Sequence, residues 1–217
     1  MKNILSIDTS TKNVSVSIFS ENEILHEDCW TSKNNHSIEL IDSIKKGFEE
    51  TNLNQEDFDC ISVAIGPGGF SSIRVGMSLS LGIAKNNNLK IIGIPTFEIE
   101  LEGHKDSNYL NNLVALIPAG FDAFCWKDIN NIDNREPDGI VNLKDIEKVF
   151  AKDTFFCGEN LSSIFENFSG FKYADRSYRK PEHILKLIRR LESESDIEKY
   201  SDLRPIYSRS PNITKKK

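Results

Sequence analysis

The stretch that decides the fold is residues 59–88, which read DCISVAIGPGGFSSIRVGMSLSLGIAKNNN. β-Branched and apolar residues from Cys60 to Ile65 predict a buried strand. The next four residues, Gly66-Pro67-Gly68-Gly69, predict a tight turn, because glycine tolerates a positive φ and proline fixes its own φ. From Phe70 to about Asn86 the apolar spacing predicts a helix. The stretch therefore folds as a strand, a turn and a helix.

This predicted helix carries apolar residues on two sides instead of one. Ile73, Met77 and Leu81 share one side, and Val75, Leu79 and Ile83 lie roughly opposite. Between them runs a row of small residues spaced four apart, namely Ser72, Gly76, Ser80 and Ala84. A surface helix normally has one apolar stripe. We therefore expect this helix to be buried twice, once against its own sheet and once against a second molecule.

The rest of the first half predicts one sheet with helices packed on it. Three segments alternate like antiparallel strands, namely Asn3–Asp8, Val14–Phe19 and Glu23–Trp30. An amphipathic helix over His36–Thr51 follows, and a further strand covers Lys90–Ile94. Helical crossovers make the last two strands parallel to the centre of the sheet. The prediction is a mixed five-stranded sheet in a first lobe over residues 1–100.

The second half has a weaker pattern, and we expect it to form a smaller, divergent lobe with an extended tail over residues 101–217. The predicted strands are Leu113–Ala119, Phe121–Lys127 and Thr154–Cys157, and the predicted helices are Thr96–Gly103, Leu143–Ala151, Glu159–Phe168 and Pro181–Ser193. Residues 127–139 are rich in Asn, Asp and Pro, which predicts an exposed loop. The sequence shows no convincing internal repeat.

Composition indicates a globular cytoplasmic protein. Hydrophobic residues make up 38% and charged residues 28% of the chain, with a net charge of −6. No apolar run approaches the roughly 18 residues of a membrane span, and the N-terminus lacks a secretion signal. Four scattered cysteines without a Cys-x-x-Cys motif favour reduced thiols. Residues 172–190 hold seven basic and two acidic side chains, which suits a solvated helix face or a contact with nucleic acid.

Candidate chemistry is limited. The four histidines show no zinc-binding spacing, so we expect no metal site. Asp8-Thr9-Ser10-Thr11 follows the first strand with a carboxylate and hydroxyls, but it has no glycine to let a phosphate approach the backbone. The turn at 66–69 lacks the Lys-Ser/Thr of a Walker A loop. Residues 8–11 are therefore a candidate vestigial phosphate loop, the glycines at 66–69 are structural, and we expect neither a catalytic residue nor a cofactor.

These motifs resemble the TsaB (YeaZ) family. Its members are bacterial proteins of tRNA threonylcarbamoyladenosine biosynthesis in the actin-like ATPase superfamily, with glycoprotease-like relatives. The segments that carry the resemblance are Ile4–Thr11, His36-Ser37, Gly66–Gly76, Ile91–Thr96 and Pro205–Arg209. The chain departs from the family pattern in its second lobe, where Ile117-Pro118-Ala119-Gly120 stands at the end of the first strand.

The resemblance implies an α/β protein of two actin-like (ribonuclease H-like) lobes that is catalytically inactive. Such a protein is a scaffold for a TsaD-like catalytic subunit and, through it, for a TsaE-like ATPase. It pairs with that subunit or with itself through helices of the first lobe. With the two-sided helix, this places the expected partner interface at Ser72, Ile73, Gly76, Met77, Ser80, Leu81, Ala84, His36 and Leu40.

Two further expectations concern the other ligands of such a protein. tRNA contact is expected to be indirect or to run through the basic section at 172–190, and no membrane contact is expected. The alternative function is an actin-like ATPase or kinase that acts on its own, which the carboxylate and hydroxyls of Asp8-Thr9-Ser10-Thr11 motivate.

Overall fold

The computed structural model describes residues 1–33, 36–105, 112–120, 122–166, 170–176 and 179–208, without the side chains of His36, Asp175 and Arg176. Parts of three segments named above lie outside these ranges. They are the strand at Phe121–Lys127, the helix at Glu159–Phe168 and the tail segment at Pro205–Arg209.

The first half of the chain builds the predicted mixed sheet. Its elements are β1 (Asn3–Asp8), β2 (Asn13–Ser20), β3 (Glu23–Thr31), α1 (His36–Thr51), β4 (Cys60–Gly66), α2 (Phe70–Asn87) and β5 (Lys90–Pro95). The strand order is β3-β2-β1-β4-β5. The β1–β2 and β2–β3 pairs are antiparallel, and the β1–β4 and β4–β5 pairs are parallel. The prediction for this lobe is confirmed.

The second half builds another five-stranded sheet. Its elements are α3 (Thr96–Glu102), β6 (Leu113–Pro118), β7 (Ala123–Asp128), β8 (Gly139–Asn142), α4 (Ile146–Val149), β9 (Phe155–Glu159), α5 (Leu161–Phe165), β10 (Lys172–Arg176) and α6 (Pro181–Ser193). The strand order is β10-β9-β6-β7-β8, with β6–β7 and β7–β8 antiparallel and the other pairs parallel. Strands β8 and β10 were not predicted, because each is short and lies at a sheet edge, where polar residues interrupt the apolar alternation.

The two sheets share one topology. Each is a three-stranded antiparallel meander whose first strand pairs with the next of two further parallel strands. The predicted α/β class with two actin-like lobes is therefore confirmed. The two lobes have the same topology although the sequence shows no repeat. Since a fold depends on the pattern of apolar and polar residues more than on their identities, two copies can keep one topology after their sequences diverge.

Helices α3 and α6 tie the lobes together. Phe97 and Leu101 of α3 pack in the core of the second sheet. Leu187 and Ile188 of α6 pack on the first sheet with Ile4 of β1. The helix at the end of the second lobe thus completes the core of the first. The division of the chain near residue 100 stays a prediction, but α6 belongs by its packing to the first sheet.

Helix α2 is covered on both sides by its own chain. Ile73 and Met77 pack against Val63 of β4 and against Ile206 near the end of the described chain. On the other side, Val75 and Leu79 pack partly against the cluster that contains Leu40 of α1. The double burial that the sequence predicts is real, but α1 and the C-terminal segment supply most of the cover.

This packing bears on the predicted partner interface, which stays a prediction. Of the residues assigned to it, seven are buried within the chain, namely Ser72, Ile73, Gly76, Met77, Ser80, Ala84 and Leu40. Ser72 and Gly76 lie against Thr9 of the loop after β1. Burial therefore leaves these seven residues little exposed surface within the single chain. Leu81 is 44% exposed, and its place in an interface stays a prediction. His36 begins α1, and its side chain lies outside the described part.

Two further observations bear on the expectations from composition. No helix within the described residues has both the length and the apolar character needed to cross a bilayer. None of the four cysteines forms a disulfide, and Cys60, Cys125 and Cys157 are buried.

Helix α2 offers a matched pair of glycines that tests its packing. A Cβ at Gly76 would lie 2.3 Å from Thr9 Oγ1, whereas a Cβ at Gly82 meets nothing within 4 Å. We expect Gly76→Ala to lower the free energy of unfolding by about 1–3 kcal/mol, since Thr9 is buried and overpacking displaces it. Gly82→Ala should raise it by roughly 0.5–1 kcal/mol, because alanine favours the helix.

Urea denaturation of the two variants measures this difference. Equal effects at the two positions would contradict the close contact between α2 and the loop after β1.

Candidate functional site

The loop after β1 is held tightly against the glycine turn that precedes α2. Ser10 Oγ and the Ser10 backbone N–H both donate to Asp8 Oδ1, at 2.6 and 2.9 Å. The Gly69 N–H donates to the Ser10 carbonyl at 2.7 Å, and Thr9 Oγ1 donates to the Ser72 carbonyl at 2.7 Å. A Cβ at Gly68 would stand only 2.0 Å from that Ser10 carbonyl, so this position requires glycine. The hydroxyls of the loop thus serve internal hydrogen bonds.

A buried arginine fills the space beside this loop. Arg179, just before α6, donates from Nε to Asp8 Oδ2 at 2.6 Å, and its Nη1 lies 2.6 Å from Glu159 Oε1 and 3.4 Å from Glu100 Oε1. Its Nη2 reaches Ser10 Oγ at 3.0 Å and Thr11 Oγ1 at 3.2 Å. The guanidinium is 1% exposed. One cation therefore joins the first lobe, α3 and the second lobe.

Opposite charges set the protonation of this cluster. Burial alone lowers the pKa of the Arg179 guanidinium, but the nearby Asp8, Glu159 and Glu100 carboxylates outweigh burial and raise it, so the cation is permanent. Burial raises the pKa of Glu159, and this effect exceeds the lowering by Arg179 and by the hydrogen bonds from Thr11 and Asn13. The three carboxylates and one guanidinium leave the cluster with a formal charge of −2 when all are ionised.

A cleft of about 360 Å³ opens next to the cluster, between the two lobes. Its lining includes Thr11, Asn13, Gly68, Ser72 and Glu159. Lys12 also lines this cleft, so the lining carries one basic and one acidic side chain, Lys12 and Glu159. Asp8 is also committed to Arg179, so its carboxylate is not available to position a metal ion.

A wider search of the described residues for metal sites gives the same result. Within them, no three or more His, Cys, Asp or Glu side chains are grouped so as to hold a metal ion.

A family model and curated relatives both relate this chain to proteins of tRNA threonylcarbamoyladenosine synthesis. The family model for TsaD, tRNA N6-adenosine threonylcarbamoyltransferase, matches residues 28–142, slightly more than half of the 217 residues. The tRNA threonylcarbamoyladenosine biosynthesis protein TsaB of Buchnera aphidicola subsp. Baizongia pistaciae is 26% identical over 129 residues, 58% of this chain and 57% of that protein. TsaB of Escherichia coli K12 is 23% identical over 132 residues, 60% of this chain and 56% of that protein. The chain belongs to the TsaB (YeaZ) branch of the TsaD family.

The fold comparison extends over nearly the whole chain. YeaZ from Pseudomonas aeruginosa superposes with a TM-score of 0.73 at 16% identity, covering 95% of this chain and all of that one. At that identity the match establishes the fold alone. The sequence matches are shorter than the structural match. In them, this TsaB-family chain spans only about half the length of its curated relatives.

The TsaB-family chain leaves an apolar groove open where α1 meets α2. Ser37, Ile41, Val75 and Leu79 are among its lining residues, and its volume is about 430 Å³. Ile38, at 64% exposed, and Ile41, at 41%, are among the most exposed large apolar side chains described. Ile38 lies three residues before Ile41 on α1, and both side chains are exposed enough for a partner to reach them.

Aromatic side chains hold the rim of this groove in place. Arg74 lies in the groove lining, and its guanidinium stacks 3.8 Å from the centroid of the Phe70 ring. Its Nε donates to the Tyr207 hydroxyl at 2.9 Å. The Phe70 and Tyr207 rings are themselves in contact, with centroids 4.7 Å apart. A charged side chain thus borders an apolar groove in a fixed position.

Three arginines of the basic section at 172–190 make contacts inside the protein. Arg179 is buried in the cluster, and Arg189 donates to the Met1 carbonyl and to Glu192. Arg190 pairs with Glu102 and Glu194. Lys172 and Lys180 of the same section are exposed, and tRNA contact through this section stays a prediction.

Sequence reasoning placed Asp8 in a candidate phosphate loop but missed its partner. Arg179 is 171 positions away along the chain. No local pattern marks it, since it stands among several other basic residues. Glu100 carries a weak signal, because Glu98, Glu100 and Glu102 lie in a short helix that is otherwise apolar at most positions.

Replacing Arg179 tests the electrostatic function of the cluster. We expect Arg179→Met to lower the free energy of unfolding by about 3–5 kcal/mol at neutral pH, because the buried carboxylates lose their cation. Burial already raises the folded-state pKa of Glu159, and loss of the guanidinium raises it further. The folded variant then binds protons more tightly than the unfolded one, so its deficit should shrink as the pH falls.

Chemical denaturation across the acid-to-neutral range measures this deficit. Arg204→Met is the control, since Arg204 is 88% exposed and pairs only with Asp202 among the residues described. A deficit for Arg179→Met that is independent of pH would argue against ionised carboxylates in the cluster.

Proposed function

We propose that this protein is a non-catalytic partner subunit in threonylcarbamoyladenosine modification of tRNA. In this proposal it supports a TsaD-like catalytic subunit, and through that subunit it works with a TsaE-like ATPase. The pathway follows from the family, whose curated members are named for tRNA threonylcarbamoyladenosine biosynthesis. We place it in the cytoplasm, which suits three buried cysteines that form no disulfide.

The observation that carries the proposal is the pairing of Asp8 with Arg179 at 2.6 Å in a buried cluster. A carboxylate at the end of the first strand would have to face a nucleotide or its metal ion to serve in phosphoryl transfer. Here it faces a guanidinium that is 1% exposed and fixed by five polar groups of the cluster. The residue best placed for catalysis is thus committed to holding the lobes together.

The groove between α1 and α2 supplies the complementary half of the proposal. A subunit that performs no chemistry must act by binding, and binding uses exposed apolar surface rimmed by polar groups. Ile38 and Ile41 offer such surface, and Arg74 borders it. We assign this groove, instead of the buried face of α2, as the surface for the TsaD-like subunit or for a second copy of this chain.

Matched aspartate substitutions test the assignment. We expect Ile38→Asp to weaken association with the cognate TsaD-like subunit by at least about tenfold, because a carboxylate would be desolvated in the contact. Val149→Asp is the control, since Val149 is 50% exposed but lies in α4 of the second lobe. Gel filtration with light scattering and calorimetry of the mixed subunits measure both.

The outcomes separate the possible partners. If Ile38→Asp loses the heterocomplex and Val149→Asp keeps it, the groove is supported as the subunit interface. If Ile38→Asp loses only a homodimer, the groove is assigned to self-association. A wild-type chain that forms no complex with the TsaD-like subunit would overturn the proposed function. The fold of each variant is checked by circular dichroism.

The alternative function, an actin-like ATPase or kinase acting alone, predicts nucleotide binding by the isolated chain. We expect calorimetry with ATP and Mg²⁺ to give no measurable binding, because Arg179 is paired with the Asp8 carboxylate. Tight binding of ATP that Asp8→Asn abolishes would instead favour the alternative. A binding isotherm that Asp8→Asn leaves unchanged would locate the nucleotide elsewhere.

A further inference from the structure

A second cavity, of about 300 Å³, lies where α3 and α6 meet the loop that follows β7 and the helical turn at Ile197–Ser201. It is distinct from the cleft beside Asp8 and shares no lining residue with it. Charged and polar side chains of both signs line it. They include Glu98, Asp133, Arg135, Arg190, Lys199 and Tyr200.

Glu98 brings an unsatisfied acceptor to this cavity. Glu98 is 1% exposed, and its Oε2 accepts a hydrogen bond from the Tyr200 hydroxyl at 2.5 Å. Its Oε1 is buried and has no hydrogen-bond partner among the described residues. Burial raises the pKa of Glu98 to about 7, against the lowering by the Tyr200 hydroxyl and by Arg135 and Arg190. A hydrogen bond from a cationic donor strongly stabilises a buried carboxylate oxygen that has no other hydrogen-bond partner.

Arg135 brings an unsatisfied donor to the same cavity. Its Nη1 donates to the Lys199 and Asp202 carbonyls at 3.2 and 3.3 Å, and its Nη2 donates to the Gly93 carbonyl at 2.5 Å. The guanidinium also lies over the Tyr200 ring, 5.0 Å from its centroid. These contacts fix its orientation and leave Nε buried without a partner among the described residues. The remaining N–H is best matched by an anionic acceptor.

The rest of the lining does not favour a ligand of one sign. Asp133, Glu194 and Asp196 face the cavity together with Arg190 and Lys199. Arg190 and Lys199 are each paired with a carboxylate, at 3.1 Å to Glu102 and 2.7 Å to Asp196. A polyanion or a polycation would meet like charges, whereas a small molecule that carries one charge of each sign would not.

We propose that this cavity binds a small zwitterion of the α-amino acid class, with its ammonium group on Glu98 Oε1 and its carboxylate on Arg135 Nε. The volume suits this size, since it equals about ten water molecules at roughly 30 Å³ each. Arg135 comes from the second lobe, and Glu98 lies in the helix between the lobes. A bound zwitterion would therefore strengthen the junction that Arg135 makes with β5 and the C-terminal segment.

Calorimetry on the full wild-type chain, without any partner subunit, tests the proposal. The probes are the small α-amino acids, and the tightest binder is compared with its N-acetyl derivative and with its carboxamide. We expect each blocked derivative to bind at least tenfold more weakly, because one loses the ammonium group and the other the carboxylate. No binding by any amino acid at millimolar concentration, or equal binding of the blocked forms, would overturn the proposal and leave ordered water as the occupant.

Variants of the two polar groups locate the site. Glu98→Gln keeps the shape and removes the charge, and Arg135→Lys keeps the charge and removes the Nε–H. Each should weaken binding at least tenfold, whereas Glu147→Gln, on the exposed face of α4, should not. Unchanged affinity in both Glu98→Gln and Arg135→Lys, with folding verified by thermal melts, would rule out this cavity. These results are independent of whether the protein assembles with a TsaD-like subunit.

Discussion

The burial of one guanidinium among three carboxylates is the constraint on which the two-lobed structure depends. Arg179 joins Asp8 of the first sheet, Glu159 of the second sheet and Glu100 of the connecting helix. Each of these ions would be costly to bury alone, so each requires the others to be in place. The lobes are thereby fixed at one relative position, and the space beside the loop after β1 is filled from within.

The same principle is repeated along α3. All seven residues of this helix are buried, although three of them are glutamates. Glu98 accepts a hydrogen bond from Tyr200. Glu100 forms an ion pair with Arg179, and Glu102 forms one with Arg190. All three partners come from the last part of the described chain. The last part of the described chain therefore supplies two arginines and one tyrosine hydroxyl as partners for a central acidic helix.

The cleft beside Asp8 and the groove between α1 and α2 differ in what they can bind. The cleft beside Asp8 is flanked by a buried ion cluster in which the Asp8 carboxylate is paired with Arg179, whereas the groove between α1 and α2 is apolar and open. A protein built in this way has a rigid interior and an accessible binding face, which suits a subunit that acts by association. The fold alone does not decide between enzyme and scaffold. The pairing of Asp8 with Arg179 is the observation that supports the scaffold in our proposal.

The sequence by itself determined the first lobe almost completely, since apolar periodicity and glycine turns are local signals that mark β4, α2 and their neighbours directly. It also determined that α2 is apolar on two sides. Only the tertiary structure decided that Leu40 and Ile206 cover those sides, and that short edge strands such as β8 complete the second sheet. The pairing of Arg179 with Asp8 was equally beyond the sequence, because ion pairs between distant segments depend on how the chain returns, and no local pattern records that path.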